Sequence, residues 1–395
     1  MRFYDTAVGE VVDFSPGPVV TMYTCGITPY DATHVGHAAT YLLYDVLQRR
    51  LRDDGYRTLC VRNVTDVDDD LLRKARELGE PYLELAAREV ARFDADMKAL
   101  GMLPAFSEPR ATSAIHDILG FIGMVFDRGH AYQAGGAVYF DVASFDGFGQ
   151  VSHLSRDDML KLAAERGGNP DDPEKRDPLD FVLWQPSAPD EPSWPSSWGP
   201  GRPGWHIECS ALALRELGTS IDLHGGGTDL IYPHHECEAA QSEAAIGERF
   251  VRRWLHAPMV ELDGTKMSKS LGNLVFVSEL VENWDPMAVR LAILDHSYRA
   301  PWSWHEGLLP RATERLERWR AAGQSPDQSS DQSSGQSSGT GDEVLDEVRA
   351  AIDDDLDFPR AIAAIDRAAS AGRGVSQAAA LLGVALAGPD PSDQG

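Results

Sequence analysis

The sequence predicts an α/β protein built on a doubly wound parallel sheet, with an insertion between the two halves of the sheet and a helical C-terminal region. Three observations carry this. Between residues 19 and 100, β-rich runs alternate with helical apolar spacing, the pattern of parallel strands joined by crossover helices. Residues 133–204 break the rhythm with short β-rich pieces and then a stretch rich in Pro, Asp and Trp. The rhythm returns after residue 205 and gives way to Ala-rich helical sequence near the end.

In chain order, 19–24 (Val-Val-Thr-Met-Tyr-Thr) reads as a strand that Cys25-Gly26-Ile27-Thr28-Pro29 breaks. Apolar residues from 37 to 51 recur at helical spacing, and Gly55 ends that helix. A second strand is expected over 56–64, then helices over 66–79 and 81–100. Residues 1–132 thus read as the first half of a nucleotide-binding fold, and 133–204 as a connective insertion with a β-rich piece at 137–142. The second half, 205–285, holds an expected strand at 220–223 and a helix at 236–246. Residues 286–322 read as a helical stem. The run of Ser, Gln, Gly and Asp over 323–341 cannot bury a core and reads as a flexible linker. Residues 342–395 form a small helical appendage of two helices.

The chain has 395 residues, enough for two to three domains, with 36 Lys+Arg against 62 Asp+Glu and a formal net charge of −26. That charge opposes loose contact with phosphate backbones, although a local basic groove is compatible with it. No apolar run reaches the ~18 residues of a membrane helix, and the first residues lack the apolar core of a signal peptide. Four cysteines without a CxxC pair do not make a disulfide framework and fit a reducing cytoplasm.

His34-Val35-Gly36-His37 stands where the first strand hands over to a helix, the preferred place for phosphate in such a fold. Gly36 would let a nucleotide base approach the backbone, and two imidazoles three apart could stabilise charge building on phosphate oxygens. Alone the motif is weak and competes with a pair of structural histidines. Lys266-Met267-Ser268-Lys269-Ser270 follows an expected turn at Asp263-Gly264 and offers two ammonium groups and two hydroxyls, suited to a triphosphate leaving group. Read alone, this is a solvated basic loop. Cys25, Cys209 and His234, with His235, Glu236, Cys237 and Glu238 beside it, can supply a soft-ligand zinc site, though scattered Cys and His are often structural. Cys60, inside a β-rich run, reads as a small buried apolar residue.

The two phosphate motifs in this order resemble the HIGH and KMSKS motifs of the class I aminoacyl-tRNA synthetases, which implies a Rossmann-like class I synthetase-type catalytic domain and ATP as co-substrate. The stretches 201–209 (GRPGWHIEC), 222–229 (DLHGGGTD) and 63–66 (NVTD) resemble the cysteinyl branch. That resemblance implies one zinc per chain on Cys25, Cys209 and His234, receiving the thiolate of cysteine. Glu238 falls where that branch has a fourth ligand; it either binds the metal or caps the neighbouring helix. A metal–sulfur bond rejects serine, which a pocket reading shape alone does poorly.

Residues 25–34 (CGITPYDATH), 165–170 (ERGGNP) and 192–195 (PSWP) are more similar still to the mycothiol cysteine ligases, in which the second motif usually reads ERGGDP. Those enzymes join cysteine through ATP to the amine of glucosaminyl-inositol. The resemblance covers about residues 2–320, with the tail also similar. It implies catalytic roles for His34, His37, Lys266 and Lys269, and an adenylate pocket of Cys25, Gly26, Ile27, Thr28, Thr40, Asn63, Val64, Thr65, Trp205, Gly227, Thr228, Asp229 and Val260. Trp205 is expected to pack rather than catalyse, and Cys237 to stand by. Magnesium is expected with ATP, without an assignable carboxylate. The expected partners are cysteine, ATP and an amino sugar, with no membrane and no stable nucleic acid; nothing specifies an oligomeric state. From Asp342 onward 11 acidic residues face 4 basic ones, a poor surface for RNA. Trp302, Trp304 and Trp319 read as packing residues or as an aromatic platform for a sugar. A cysteinyl-tRNA synthetase, a cysteine ligase with another amine acceptor, and an inactive zinc-binding relative stay open as alternatives.

Overall fold

The computed structural model describes residues 1–267, 271–323 and 340–387. An antiparallel hairpin, β1 (Arg2–Asp5) and β2 (Glu10–Asp13), precedes β3 (Val19–Ile27). Helix α1 (Val35–Asp53) crosses over and β4 (Arg57–Val64) returns parallel to β3. His34 caps α1 by accepting a hydrogen bond from Gly36 N, and Arg50 and Arg52 in the last turn face the negative end of the helix dipole. Helices α2 (Asp69–Leu78), α3 (Tyr82–Ala99) and α4 (Ile115–Asp127) follow. The insertion is an antiparallel sheet of β5 (Ala131–Ala134), β6 (Ala137–Phe140), β7 (Phe181–Gln185) and β8 (Arg202–Pro203), with α5 (Arg156–Glu165) between β6 and β7.

Helix α6 (Trp205–Leu217), β9 (Leu223–Gly227), α7 (Glu236–Ile246) and β10 (Trp254–Ala257) complete the central sheet, whose spatial order is β10-β9-β3-β4, all parallel. A small sheet joins β11 (Val260–Leu262) to β12 (Thr265–Lys266) and β13 (Trp302–Trp304). Helices α8 (Val277–Asn283), α9 (Pro286–Leu294) and α10 (Leu308–Gly323) follow the loop after β12. The tail is α11 (Thr340–Asp353), α12 (Phe358–Ser370) and α13 (Ser376–Leu381). Among the described residues no helix is long and apolar enough to cross a membrane.

The α/β class read from the sequence is the observed one, with three local corrections. First, β3 does not stop at Cys25: after a bulge, Ile27 still pairs with Val64, so tertiary pairing overrides the Gly and Pro signals. Second, the strand expected at 220–223 is instead Leu223–Gly227, the glycine run itself. A Cβ on Gly225 would fall 2.0 Å from the Leu255 carbonyl oxygen and 2.1 Å from the Tyr44 hydroxyl, so only glycine lets β10 and α1 close on this strand.

Third, the described residues of the tail form three helices instead of two, and they pack on the catalytic unit. Val348, Ile352, Ile362 and Ile365 are buried in the same core as Leu42 and Leu47 of α1. Arg50–Asp353 and Arg349–Asp53 ion pairs, both 2.7 Å, tie α11 to α1. Residues 324–339, nearly all of the expected linker, lie outside the described residues. Trp319 is wholly buried and donates to Asp366 Oδ1 at 2.8 Å, and Trp304 is buried, so both are packing residues. Trp302 stacks on His296 with ring centroids 3.9 Å apart.

Candidate active site

The carboxyl ends of β3, β4 and β9 meet the N-terminus of α1 around a cleft of about 360 Å³, the position where open α/β sheets bind ligands. Cys25, Gly26, Ile27 and Thr28 line it from the end of β3, His34, His37 and Thr40 from α1, and Asn63 and Thr65 from the end of β4. Trp205 and Cys209 of α6, Gly227, Asp229, His234 and Val260 complete the set that the sequence picked out. Two expected residues do not reach this wall. Val64 turns to a neighbouring cavity, and Thr228 lies outside the lining. Lys269 lies outside the described residues, as does the side chain of Lys266. Tyr30, Asp31, Thr33, Tyr41 and Leu230 line the cleft without having been singled out. The first three lie in the 25–34 stretch that carries the ligase resemblance, between the first strand and the first helix, but they were not singled out within it.

Glycines and their neighbours set the shape of this cleft. A Cβ on Gly26 would fall 1.5 Å from the Asn63 carbonyl oxygen, so glycine is what lets β3 and β4 approach there. Asn63 is held on both sides: its Oδ1 accepts from Gly26 N at 2.8 Å and its Nδ2 donates to Thr65 Oγ1 at 3.0 Å. The rings of His34 and His37 stack with centroids 3.9 Å apart. His34 Nδ1 accepts from Gly36 N at 3.1 Å, and a Cβ on Gly36 would sit 2.9 Å from the His34 ring. The immediate reason for Gly36 is therefore the helix cap.

The motif around Arg166 ends α5 and reaches the opposite wall of the cleft. Arg166 Nη1 donates to the main-chain carbonyls of both Asp229 and Tyr232. Asn169 of the same motif has φ 43°, a left-handed conformation that Asn and Asp both tolerate, so Asn in place of Asp keeps the turn.

At one end of the cleft the donor atoms of Cys25, Cys209, His234 and Glu238 all lie within 4.8 Å of one another, and all four residues are buried. The Cys25 and Cys209 sulfurs are 3.9 Å apart, close to the ~3.8 Å edge of a tetrahedron with Zn–S bonds of about 2.3 Å. Glu238 Oε1 is 2.9 Å from His234 Nε2 and 3.4 Å from Cys25 Sγ, so this carboxylate stands inside the donor set as well as in the first turn of α7. His234 Nδ1 is held by His206 Nδ1 at 2.9 Å, which leaves Nε2 to face the set, and a hydrogen bond of this kind fixes which ring nitrogen an imidazole offers to a metal. Trp205 stacks on His234 with ring centroids 4.3 Å apart. The hydrogen bond with Cys25, outweighing burial, draws the Cys209 thiol down to about 7, while burial pushes that of Cys25 well up.

Three further histidines lie beside this donor set. Cys25, His224, His235 and Glu238 form a second group of metal-competent donors. His235 Nε2 is 3.3 Å from Cys25 Sγ, its Nδ1 is 2.7 Å from His256 Nε2, and His256 Nδ1 is 2.7 Å from Thr6 Oγ1. Burial holds His224 and His235 far below the usual imidazole range, which keeps both neutral. Cys237 is buried outside both groups, and the Cys60 thiol, pushed up to about 11 by burial, packs in the core. None of the four cysteines forms a disulfide.

A parallel sheet with a capped helix at its carboxyl edge, an antiparallel insertion and a helical tail defines a class I synthetase-type catalytic fold. Residues 12–314 match the family model for the tRNA synthetases class I (C) catalytic domain. The chain is 50% identical over 397 residues to the L-cysteine:1D-myo-inositol 2-amino-2-deoxy-alpha-D-glucopyranoside ligase of Frankia casuarinae, covering 100% of this chain and 82% of the relative. It is 49% identical over 401 residues to the ligase of the same name from Streptomyces griseus, covering 98% and 96%. Among solved structures it is similar to Mycobacterium tuberculosis methionyl-tRNA synthetase in complex with methionyl-adenylate (TM-score 0.65, 18% identity, 93% and 88% covered) and to Thermus thermophilus arginyl-tRNA synthetase (TM-score 0.60, 12% identity, 95% and 83% covered). The chain belongs to the family of these cysteine ligases, within the class I (C) synthetases.

Proposed function

We propose that the chain joins L-cysteine, through ATP, to the amine of glucosaminyl-inositol, releasing AMP and pyrophosphate in the biosynthesis of mycothiol. One observation carries the reading. A single cleft has a dithiol–imidazole–carboxylate donor set at one end and the N-terminus of α1 with His34 and His37 at the other. In this reading the thiol of cysteine goes to the first end and its carboxylate is directed toward the second.

The donor set fits one zinc ion, which when bound supplies a soft site for the substrate sulfur and rejects serine. Cys25, Cys209, His234 and Glu238 hold it in this reading. A carboxylate oxygen of cysteine attacks the α-phosphorus of ATP, and the bond to the β-phosphate oxygen breaks. The N-terminal dipole of α1, His34 and His37, with Lys266 and Lys269, stabilises the charge on the phosphates. Magnesium accompanies ATP. Gly26, Ile27, Thr28, Thr40, Asn63, Thr65, Gly227, Asp229 and Val260 contain the adenylate, with Asp229 accepting from ribose hydroxyls. The acceptor amine then attacks the activated carbonyl, the amide bond forms, AMP leaves with the bonding pair, and the amine proton passes to water.

The four unpaired cysteines are in keeping with a reducing cytoplasm, and the acidic C-terminal residues favour a small acceptor over RNA. Glu238 inside the donor set is the feature favouring a cysteinyl-tRNA synthetase instead. Incubation with cysteine and ATP, offering glucosaminyl-inositol and tRNA in parallel and identifying products by mass, tests the reading. Cysteinyl-glucosaminyl-inositol with AMP is the expected product, and charged tRNA would overturn it.

A further inference from the structure

A second cavity of about 170 Å³ lies beside the cleft and shares Ile27 and Asn63 with it. Its far wall carries Arg62, Asp94, Glu108 and Arg110. Arg62 is committed to the protein. Its guanidinium pairs with Glu108 and lies 4.6 Å from the centroid of the Phe93 ring, with the side chain 10% exposed. Asp94 and Arg110 are not committed in this way. Their side chains are 51% and 40% exposed, Asp94 stands 3.9 Å from Arg62, and Arg110 stands 3.8 Å from Asp66. Among the described residues neither side chain makes a hydrogen bond. The cavity therefore presents a carboxylate and a guanidinium with unused hydrogen-bonding capacity, together with a fixed ion pair.

That combination matches a neutral polyhydroxylated ring. Adjacent hydroxyls donate to a carboxylate and accept from a guanidinium, whereas an anion would be repelled by Asp94 and Glu108. At about 170 Å³ the cavity has room for a six-membered ring with its hydroxyls. Position sets which ring. Ile27 and Asn63 line both the cavity and the cleft, and Ile27 stands in the chain between Cys25, at the donor set, and His34, at the helix N-terminus. A ring in the side cavity lies next to the stretch where the activated carbonyl would sit, while the ring bearing the amine occupies the cleft side.

We infer that this side cavity binds the cyclitol ring of the acceptor, with Asp94 and Arg110 as specificity-determining residues. The inference rests on the ligase reading above. Its test uses the full chain with Asp94→Asn and Arg110→Gln. Cysteine-dependent exchange of pyrophosphate into ATP reads the first half-reaction and the integrity of the fold together. Steady-state titrations with glucosaminyl-inositol and with glucosamine alone read the second.

Both variants are expected to keep exchange within about twofold of the unaltered chain. Each is expected to raise KM for glucosaminyl-inositol about tenfold, the loss typical of one hydrogen bond to a charged group. Their KM for glucosamine should be unchanged. An unchanged KM for glucosaminyl-inositol in both variants, with the unaltered chain coupling it normally, would overturn this inference alone. An equal rise for glucosamine would overturn the assignment of the cavity to the cyclitol. An unaltered chain that exchanges pyrophosphate but couples no cyclitol-bearing amine would overturn the ligase reading and this inference with it.

Discussion

Arg290 and Asp45 meet as an ion pair with both side chains fully buried, at the point where α9, α1 and the C-terminal helices join. Arg290 also donates to the carbonyls of Leu382 at 2.7 Å and Leu100 at 3.0 Å, while Asp45 accepts from Leu103 N at 2.7 Å and Arg49 Nε at 2.8 Å. Burial pushes the Asp45 carboxyl up, but Arg290 and Arg49 outweigh it and hold it below the usual range. Asp45→Ala strands a guanidinium away from water and is expected to cost about 3–5 kcal/mol in chemical denaturation. The double change Asp45→Leu with Arg290→Met should cost less than Asp45→Ala alone. A single variant within 1 kcal/mol of the parent would show that the pair is not the lock between tail and catalytic unit.

The donor set makes a prediction that does not depend on the acceptor. Cys209→Ser removes one of two thiolates and should lower bound zinc and cysteine-dependent pyrophosphate exchange together. Glu238→Gln leaves two sulfurs and an imidazole, so it should retain zinc but release it faster to a chelator. Metal content measured on the purified chain checks both. One zinc per chain in Cys209→Ser would remove that residue from the ligand set.

What could be read from the sequence divides along physical lines. The α/β rhythm was visible because apolar periodicity is local, and helix Glu236–Ile246 appeared at its expected place. β9 was not visible, because His224 to Gly227 has loop composition and becomes a strand only when β3 and β10 pair with it. The docking of the tail depends on pairs such as Arg50 with Asp353, whose long separation leaves no local pattern. In the site, the resemblance brought forward Cys25, Cys209, His234 and Glu238, and the fold places their donor atoms together. The support from His206, His235 and His256 could not be read, since it arises from hydrogen bonds between separate elements.

Asp68 caps α2 through a bond from Asp70 N at 2.8 Å, and burial lifts its carboxyl to about 6. The folded chain therefore holds this proton above the ~4 at which an unfolded Asp releases it. Between about pH 4 and 6 the native state binds more protons than the unfolded one, so this group's contribution to stability falls as pH rises through that window. Asn is an equally good cap and does not titrate. Relative to the parent, Asp68→Asn should gain stability as pH rises from 4.5 to 7, followed by urea midpoints. A constant difference across that range would refute the assignment.

The last prediction concerns Arg166, whose Nη1 braces the carbonyls of Asp229 and Tyr232 from the insertion. The braced segment carries Asp229 into the cleft and runs through Ile231–His235, which holds His234 of the donor set. Arg166 does not line the cleft, so its role is positioning, and its loss should act on two readouts at once. Arg166→Ala is expected to raise KM for ATP roughly tenfold, as loss of a charged hydrogen bond would, with a smaller change in kcat. It should also release zinc faster to a chelator through His234. Free guanidinium at low millimolar concentration should restore part of the KM. A general loss of stability would lower kcat and would not respond to guanidinium, and that pattern would deny Arg166 this role.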